Sequence, residues 1–149
     1  MLRDKGYEVL INERAKNRAA DKEEILAGIK GADAMLATLT DKVDAEIMDA
    51  GLSASSGGPT LKIIANMAVG FDNIDLEAAK KRNIIVTNTP GVLTDTVAEH
   101  TFALMLAISH RIVEADKFTR AGLYNAWGPM LLLGSDLFGK TLGVVGSGR

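Results

Sequence analysis

LKIIANMAVGFDNIDLEAAKKRNIIVTNTP, residues 61–90, decides the fold. It opens on an apolar run, 61–65, passes through a loop, 66–73, that carries Gly70, and enters a charged stretch at helical spacing, 75–82. Another apolar run, Ile84-Ile-Val-Thr87, follows at once. Two strand-length runs joined by a short helix make a βαβ unit, which belongs to a parallel sheet. The alternation extends towards the N-terminus. Glu8-Val-Leu-Ile11 reads as a strand, and 21–29 as a helix with Ile25, Leu26 and Ile29 on one face. After the turn Gly31-Ala-Asp33, residues 34–38 read as a buried strand. Residues 42–50 read as an amphipathic helix (Val43, Ile47 and Met48 inward) stopped by Gly51, and SASSGGP, 53–59, as a loop.

Beyond Pro90-Gly91 the pattern changes. Thr96-Val-Ala-Glu99 matches a capping box, with Thr96 as N-cap and Glu99 at N3. It opens the longest helix, about 25 residues or roughly 37 Å, ending near Ala121-Gly122. The first half is apolar nearly all round (Val97, Phe102, Leu104, Met105, Leu106, Ile108), which predicts burial on more than one side. The second half is amphipathic and is expected to emerge into solvent. Residues 123–138 read as an irregular apolar arm with Trp127 and Met130-Leu-Leu-Leu133. Trp127 and Leu131–Leu133 read as core or as a subunit contact, and the contact is expected because such arms rarely stay exposed on monomers. Thr141-Leu-Gly-Val-Val145 reads as a last buried strand.

Composition narrows the class. The 149 residues carry 17 Lys+Arg against 19 Asp+Glu, a net charge of −2, without a basic block. That removes the electrostatic footprint for nucleic acid or an anionic membrane. Zero cysteines exclude a disulfide framework and Cys-ligated zinc. The N-terminus lacks the apolar core of a signal peptide, and the most apolar stretch, 101–108, is far short of the ~20 residues that cross a bilayer. The reading is a soluble, cytoplasmic globular protein.

Three segments carry chemistry. Gly146-Ser-Gly-Arg149 follows a strand pattern as G-x-G, the opening of a dinucleotide loop in which glycines let a pyrophosphate approach the backbone. An ordinary glycine turn reads the same way. In the loop Ala68-Val-Gly70, at the carboxyl end of a strand, Gly70 allows successive N–H groups to converge on an anion such as a carboxylate. Alternatively, Gly70 only turns the chain and Asp75 caps the next helix. The third segment, 87–99, delivers polar groups to a helix N-terminus, which favours phosphate or carboxylate or serves as plain capping. Asp72, Asp75, Asp95 and Glu99 lack metal-ligand spacing, and His100 and His110 read as structural helix residues. Lys80-Lys-Arg82 reads as a solvated helix C-terminus complementing the macrodipole. No catalytic residue and no metal site is assigned.

Taken together, 61–107 (LKIIANMAVGFDNIDLEAAKKRNIIVTNTPGVLTDTVAEHTFALMLA) and 136–149 (DLFGKTLGVVGSGR) resemble the D-isomer-specific 2-hydroxyacid dehydrogenase family, nearest its glyoxylate/hydroxypyruvate reductase branch. The resemblance implies an α/β fold. A flavodoxin-like parallel sheet of order 2-1-3-4-5, missing its first strand, is followed by the first helix and first strand of a Rossmann NAD(P)-binding domain. It divides the chain into a substrate-binding domain (1–93), an interdomain helix (94–122), an arm (123–139) and the start of a nucleotide domain (140–149). It implies that Ala68, Val69 and Gly70 hold the substrate carboxylate. Thr96 would approach the cofactor phosphates, and Gly146, Gly148 and Arg149 would begin the pyrophosphate loop. The cofactor would be NAD or NADP. The reaction implied is hydride transfer between nicotinamide and a small 2-oxo or 2-hydroxy acid of the glyoxylate or hydroxypyruvate type. The family's catalytic arginine, glutamate and histidine fall beyond position 149, so this N-terminal portion alone is expected to be inactive. A homodimer through 94–139 is also implied. The alternative is a non-enzymatic, corepressor-like module that senses dinucleotide or serves assembly.

Overall fold

In the computed structural model, which describes residues 1–12, 18–52, 60–146 and 148, each α-helix of the N-terminal region starts at an aspartate. Helix α1 (Lys22–Ile29) begins at Asp21, whose carboxylate accepts the Glu24 N–H at 2.9 Å. Glu24 accepts the Asp21 N–H in return at 3.1 Å, completing a capping box. Asp44 accepts the Ile47 N–H at 3.1 Å at the start of α2 (Ala45–Leu52), and Asp75 the Ala78 N–H at 2.8 Å at the start of α3 (Leu76–Lys81). These caps meet the orphan donors of the first helical turn.

Strands β1 (Ala34–Ala37), β2 (Ile63–Asn66) and β3 (Ile85–Thr87) form a parallel sheet in the order β1-β2-β3. Leu36 pairs with Ala65, and Ala65 with Thr87. The two-residue period sends Ala37 and Ile64 into one core with Ile29, Ile47, Met48, Ala78 and Ala79. Each fully buried isoleucine or methionine there contributes about 1.5–3 kcal/mol. The alternate residues Leu36 and Ile85 are exposed. Arg82, after α3, pairs with Asp49 of α2 through two contacts of 2.7 Å.

Three expectations in this region are corrected. Residues 8–11 are not a strand: no described backbone bonds to them in a ladder, and a strand exists only as part of one. The second helix starts at Ala45, because Val43 is engaged with 73–75 instead. Its N–H donates to Asn73 O at 2.8 Å, and its carbonyl accepts the Asp75 N–H at 3.0 Å. Gly51 lies inside α2 and does not stop it. A Cβ there would come within 2.8 Å of Leu61 Cδ2 and 3.1 Å of Ile29 Cγ1, so glycine permits close packing. The loop reading of 53–59 lies outside the described residues.

Met1–Pro90 and Gly91–Arg149 are separate compact units. In the second, α4 spans Thr94–Ser109 and α5 spans Ile112–Arg120. The expected single helix is therefore two. Ser135 N–H donates to Ser109 O at 2.8 Å, taking the acceptor that Val113 N–H would use in a continuous helix. Arg111 turns left-handed (φ 53°), and its guanidinium pairs with Glu114 at 2.7 Å. Gly134 sits so close that a Cβ would stand 2.3 Å from Ser109 O.

The capping box at Thr96 is also absent. The helix begins three residues earlier, with Leu93 as N-cap, so Thr96 has helical backbone and cannot act as N-cap. No residue of α4 is buried, contrary to the expected burial of its first half: Phe102 is 57% and Ile108 77% exposed. α5 follows α4 closely and Ser135 bonds to its last residue, yet the apolar side chains of α4 stay accessible. Residues 141–145 form no strand, and among the described residues none pairs with them in a ladder.

Candidate functional site

The loop 67–73 leaves the carboxyl end of β2, the end where open parallel sheets bind ligands. Its carbonyls are tied down one after another. Thr89 N–H donates to Ala68 O at 2.9 Å, Asn88 Nδ2 to Val69 O at 2.8 Å, and Asn66 Nδ2 to Gly70 O at 2.9 Å. A trans peptide is planar, with its N–H opposed to its C=O. Holding Ala68 O therefore aims the Val69 N–H the other way, and holding Val69 O does the same for the Gly70 N–H. Among the described residues neither N–H has a hydrogen-bond partner. Val69 is 43% exposed and Gly70 is exposed, so both donors belong to residues at the surface. Ala68 is buried and contributes its carbonyl as an anchor.

Gly70 lacks the positive φ used by an anion nest of alternating handedness. The tethers, not the glycine's torsions, set the two donors. A Cβ added at Gly70 would meet no atom within 4 Å, so no neighbour in the fold demands glycine there. What the missing side chain leaves is room for another molecule to approach the backbone.

The tethers rest on a buried amide pair. Asn66 is 2% exposed, the one polar side chain in the described core. Its Nδ2 also donates to Asn73 Oδ1 at 3.1 Å, and Asn73 Nδ2 returns a contact to Asn66 Oδ1 at 3.3 Å. Asn73 Nδ2 reaches Thr38 O at 3.0 Å and Asp41 O at 3.1 Å, linking this loop to the one after β1. Sequence reasoning missed Asn66, Asn73 and Asn88. A signal was present: the strand period puts Asn66 on the same face as Ile64, and a polar residue on a core face demands partners.

An open cleft beside this loop is lined by Thr40, Lys42, Asp44, Asp72 and Asp75. Its carboxylates outnumber its single cation, so it disfavours an anion that the Val69 and Gly70 donors favour.

The expected cofactor residues lie in 91–149. Thr96 is exposed in the first turn of α4. Gly146 has φ 91°, a backbone that L side chains rarely adopt, and a Cβ at Gly146 or Gly148 would meet nothing within 4 Å. Both observations suit a loop that presents bare backbone to a phosphate. Arg149 lies outside the described residues. His100 is exposed on α4, and His110 caps its end by donating its N–H to Leu106 O at 3.0 Å. Among the described residues no group of three His, Asp or Glu is placed to hold a metal, and no helix is long and apolar enough to cross a membrane.

Comparison with known proteins supplies the lineage. The sequence model for the catalytic domain of D-isomer specific 2-hydroxyacid dehydrogenases matches residues 1–137. A glyoxylate reductase of Thermofilum pendens is 50% identical over 143 residues, 95% of this chain and 40% of that protein. One from Thermococcus litoralis is 47% identical over 150 residues, 98% of this chain and 43% of its own. Among solved structures, the TT0316 protein from Thermus thermophilus superposes with a TM-score of 0.79 at 44% identity, covering 91% of this chain and 40% of that one. The apo-structure of D-lactate dehydrogenase from Escherichia coli gives 0.69 at 26% identity, over 89% and 39%. The chain spans about 40% of the length of these relatives. With its parallel α/β sheet and its 61–107 signature, it belongs to the D-isomer-specific 2-hydroxyacid dehydrogenase family.

Proposed function

We propose that this chain is the carboxylate-binding part of an NAD- or NADP-linked reductase of a small 2-oxo acid, of the glyoxylate or hydroxypyruvate type, working in the cytoplasm. One observation carries the reading. The Val69 and Gly70 N–H groups belong to exposed residues and are unpartnered among the described residues, at the carboxyl end of a parallel strand, with their peptide planes held by their carbonyls. Two donors held by tethered peptide planes suit the oxygens of a carboxylate, and charge-assisted bonds of this kind are about twice as strong as neutral ones. Val69 and Gly70 bind and orient the acid, Ala68 anchors the loop, and Thr96, Gly146, Gly148 and Arg149 contribute to the dinucleotide side. Nicotinamide, when bound, supplies the hydride. The acid/base group and the arginine that grips the substrate lie outside these 149 residues, so the chain alone turns nothing over. The apolar surface of 94–139 meets a second subunit.

Amide-resolved NMR tests the reading. Adding oxalate, a non-reacting dicarboxylate, is expected to shift the Val69 and Gly70 N–H signals saturably and to leave α3 unmoved. Gly70→Ala should weaken that response at least tenfold while stability stays within about 0.5 kcal/mol, because its Cβ meets only open space. Absence of a response at both amides would remove the proposal. NADH oxidation with glyoxylate should be undetectable for the chain alone, and light scattering should give twice the chain mass.

A further inference from the structure

We infer that Asn88 and Asn66 are positioning residues for the substrate carboxylate: Asn88, by clamping the Val69 carbonyl, aims the Gly70 N–H, and Asn66, by clamping the Gly70 carbonyl, fixes the peptide plane on the other side of the same residue. The inference rests on the carboxylate reading of Val69 and Gly70 and adds the residues that make those donors rigid.

A flexible loop of bare amides would spend binding energy on ordering itself, whereas fixed peptide planes bind an anion with that cost already met. The Val69–Gly70 plane, which contains the Gly70 N–H, is held by Asn88 Nδ2 at 2.8 Å from Val69 O. The following plane is held by Asn66 Nδ2 at 2.9 Å from Gly70 O. The two clamps come from different strand ends, Asn66 closing β2 and Asn88 following β3, so Val69 and Gly70 are gripped from two sides of the sheet's carboxyl edge. Asn66 is itself immobilised. It is buried, its amide is paired reciprocally with that of Asn73, and Asn73 is bonded to Thr38 O and Asp41 O. A buried amide group costs free energy unless its partners are supplied, so a leucine would be the ordinary choice at this core position. The polar residue is explained by what it holds.

The two sites also differ in a way that makes the inference testable. Asn66 lies within the core, and removing it would leave Asn73 short of a partner and could unfold the unit. Asn88 is only half-buried and its Nδ2 makes one recorded bond, to Val69 O, so Asn88→Ala should fold normally. The measurement is the oxalate titration by amide NMR, run on the 149-residue chain and on Asn88→Ala and Asn66→Ala, together with 15N relaxation of residues 67–73. The expected result for Asn88→Ala is about tenfold weaker oxalate binding, with fast motion appearing at Val69 and Gly70 while β2, β3 and α3 keep their spectra. Asn66→Ala, where folded, should show the same signature extended to Phe71. If the unmodified chain responds to oxalate and Asn88→Ala binds equally well with an equally ordered loop, the clamp is overturned and the carboxylate reading stands. If the unmodified chain does not respond at all, the carboxylate reading falls and takes this role with it. A simple loss of thermal stability in Asn88→Ala, with loop order and affinity unchanged, counts against the inference, because a merely structural contact would give that result.

Discussion

Residues 1–90 and 91–149 are both rich in aliphatic side chains, yet only the first unit closes a core. In 1–90, Ile47, Met48 and Ile64 are fully buried. In 91–149 no helical residue is buried, and Phe102, Ile108, Trp127 and Phe138 stand between 57% and 97% exposed. The difference lies in what each pattern needs. A strand–helix–strand repeat carries both halves of its packing within some 30 residues. A helix apolar on all sides carries only one half, and its covering surface must come from elsewhere. The first unit holds the proposed carboxylate site, while the second holds the apolar surface proposed to meet a second subunit.

The largest effect that can sharpen this contrast is a pair of truncations. Ile64→Ala removes side-chain volume from a site with no solvent access and should cost about 2–5 kcal/mol in a urea melt, at any protein concentration. Phe102→Ala replaces an exposed aromatic with the best helix former and should leave the isolated chain within about 0.5 kcal/mol of its parent. If 94–139 packs on a partner subunit, a destabilisation by Phe102→Ala appears only as concentration rises and dimer forms. A Phe102→Ala penalty of several kcal/mol at the lowest concentration would break the comparison, since it would mean that this residue is already buried in the monomer.

What could be read in the sequence divides along the same line. The elements 61–87 were legible because their determinants are local: an alternating apolar run, Asp75 three residues before the N–H it caps, and a second run directly after. The loop of the site was legible at Gly70. Of its supports only Asn66 left a signal, a polar residue on a core face; what Asn66 and Asn88 hold was not legible, because they come from different strand ends and reach one loop only when β2 and β3 pair. Residues 8–11 and 141–145 have strand composition but no ladder, and composition cannot report a missing partner. Gly51 looked like a helix stop because glycine is a poor helix former, yet Leu61 and Ile29 crowd the site where its Cβ would be. The break between α4 and α5 was hidden for the same reason: it is set by Ser135, far along the chain.

That break gives the next test. In Gly134→Ala the new methyl would lie 2.3 Å from a backbone oxygen, so the turn must move away and the Ser135–Ser109 bond be lost, at a cost of about 1–3 kcal/mol. With Ser109 O released, Val113 N–H can take it, and α4 and α5 should fuse. Carbon chemical shifts of His110 and Arg111 would move to helical values, and ellipticity at 222 nm would deepen. Retention of left-handed shifts at Arg111 would show instead that the break is held by Arg111 and Glu114 alone. Either way 91–149 would remain without a buried core, because a straight helix covers no more of its own surface than a broken one.

The smallest effect concerns how 1–90 holds its first helix. Arg18 donates to both Glu24 oxygens, at 2.6 and 2.9 Å, and Asp21 N–H donates to the same carboxylate. The Arg18 contact first, and the Asp21 N–H second, hold the Glu24 carboxyl down at about 2, against 4.5 for the ordinary group. A carboxylate whose pKa is lower in the folded state than in the unfolded chain stabilises the fold when ionised in both. Its contribution is complete above about pH 4.5 and fades as pH falls towards 2, where the folded form also takes up the proton. Glu24→Gln keeps the shape of the capping box but has no charge to titrate. The parent should therefore be the more stable near pH 7, and its advantage should shrink between pH 4.5 and 2. The site is near the surface and solvent screens it, so the difference is small and needs paired urea melts at several pH values. A stability gap that stayed constant across that window would mean that the box acts through hydrogen-bond geometry alone, and the ion pair with Arg18 would then have no part in securing α1.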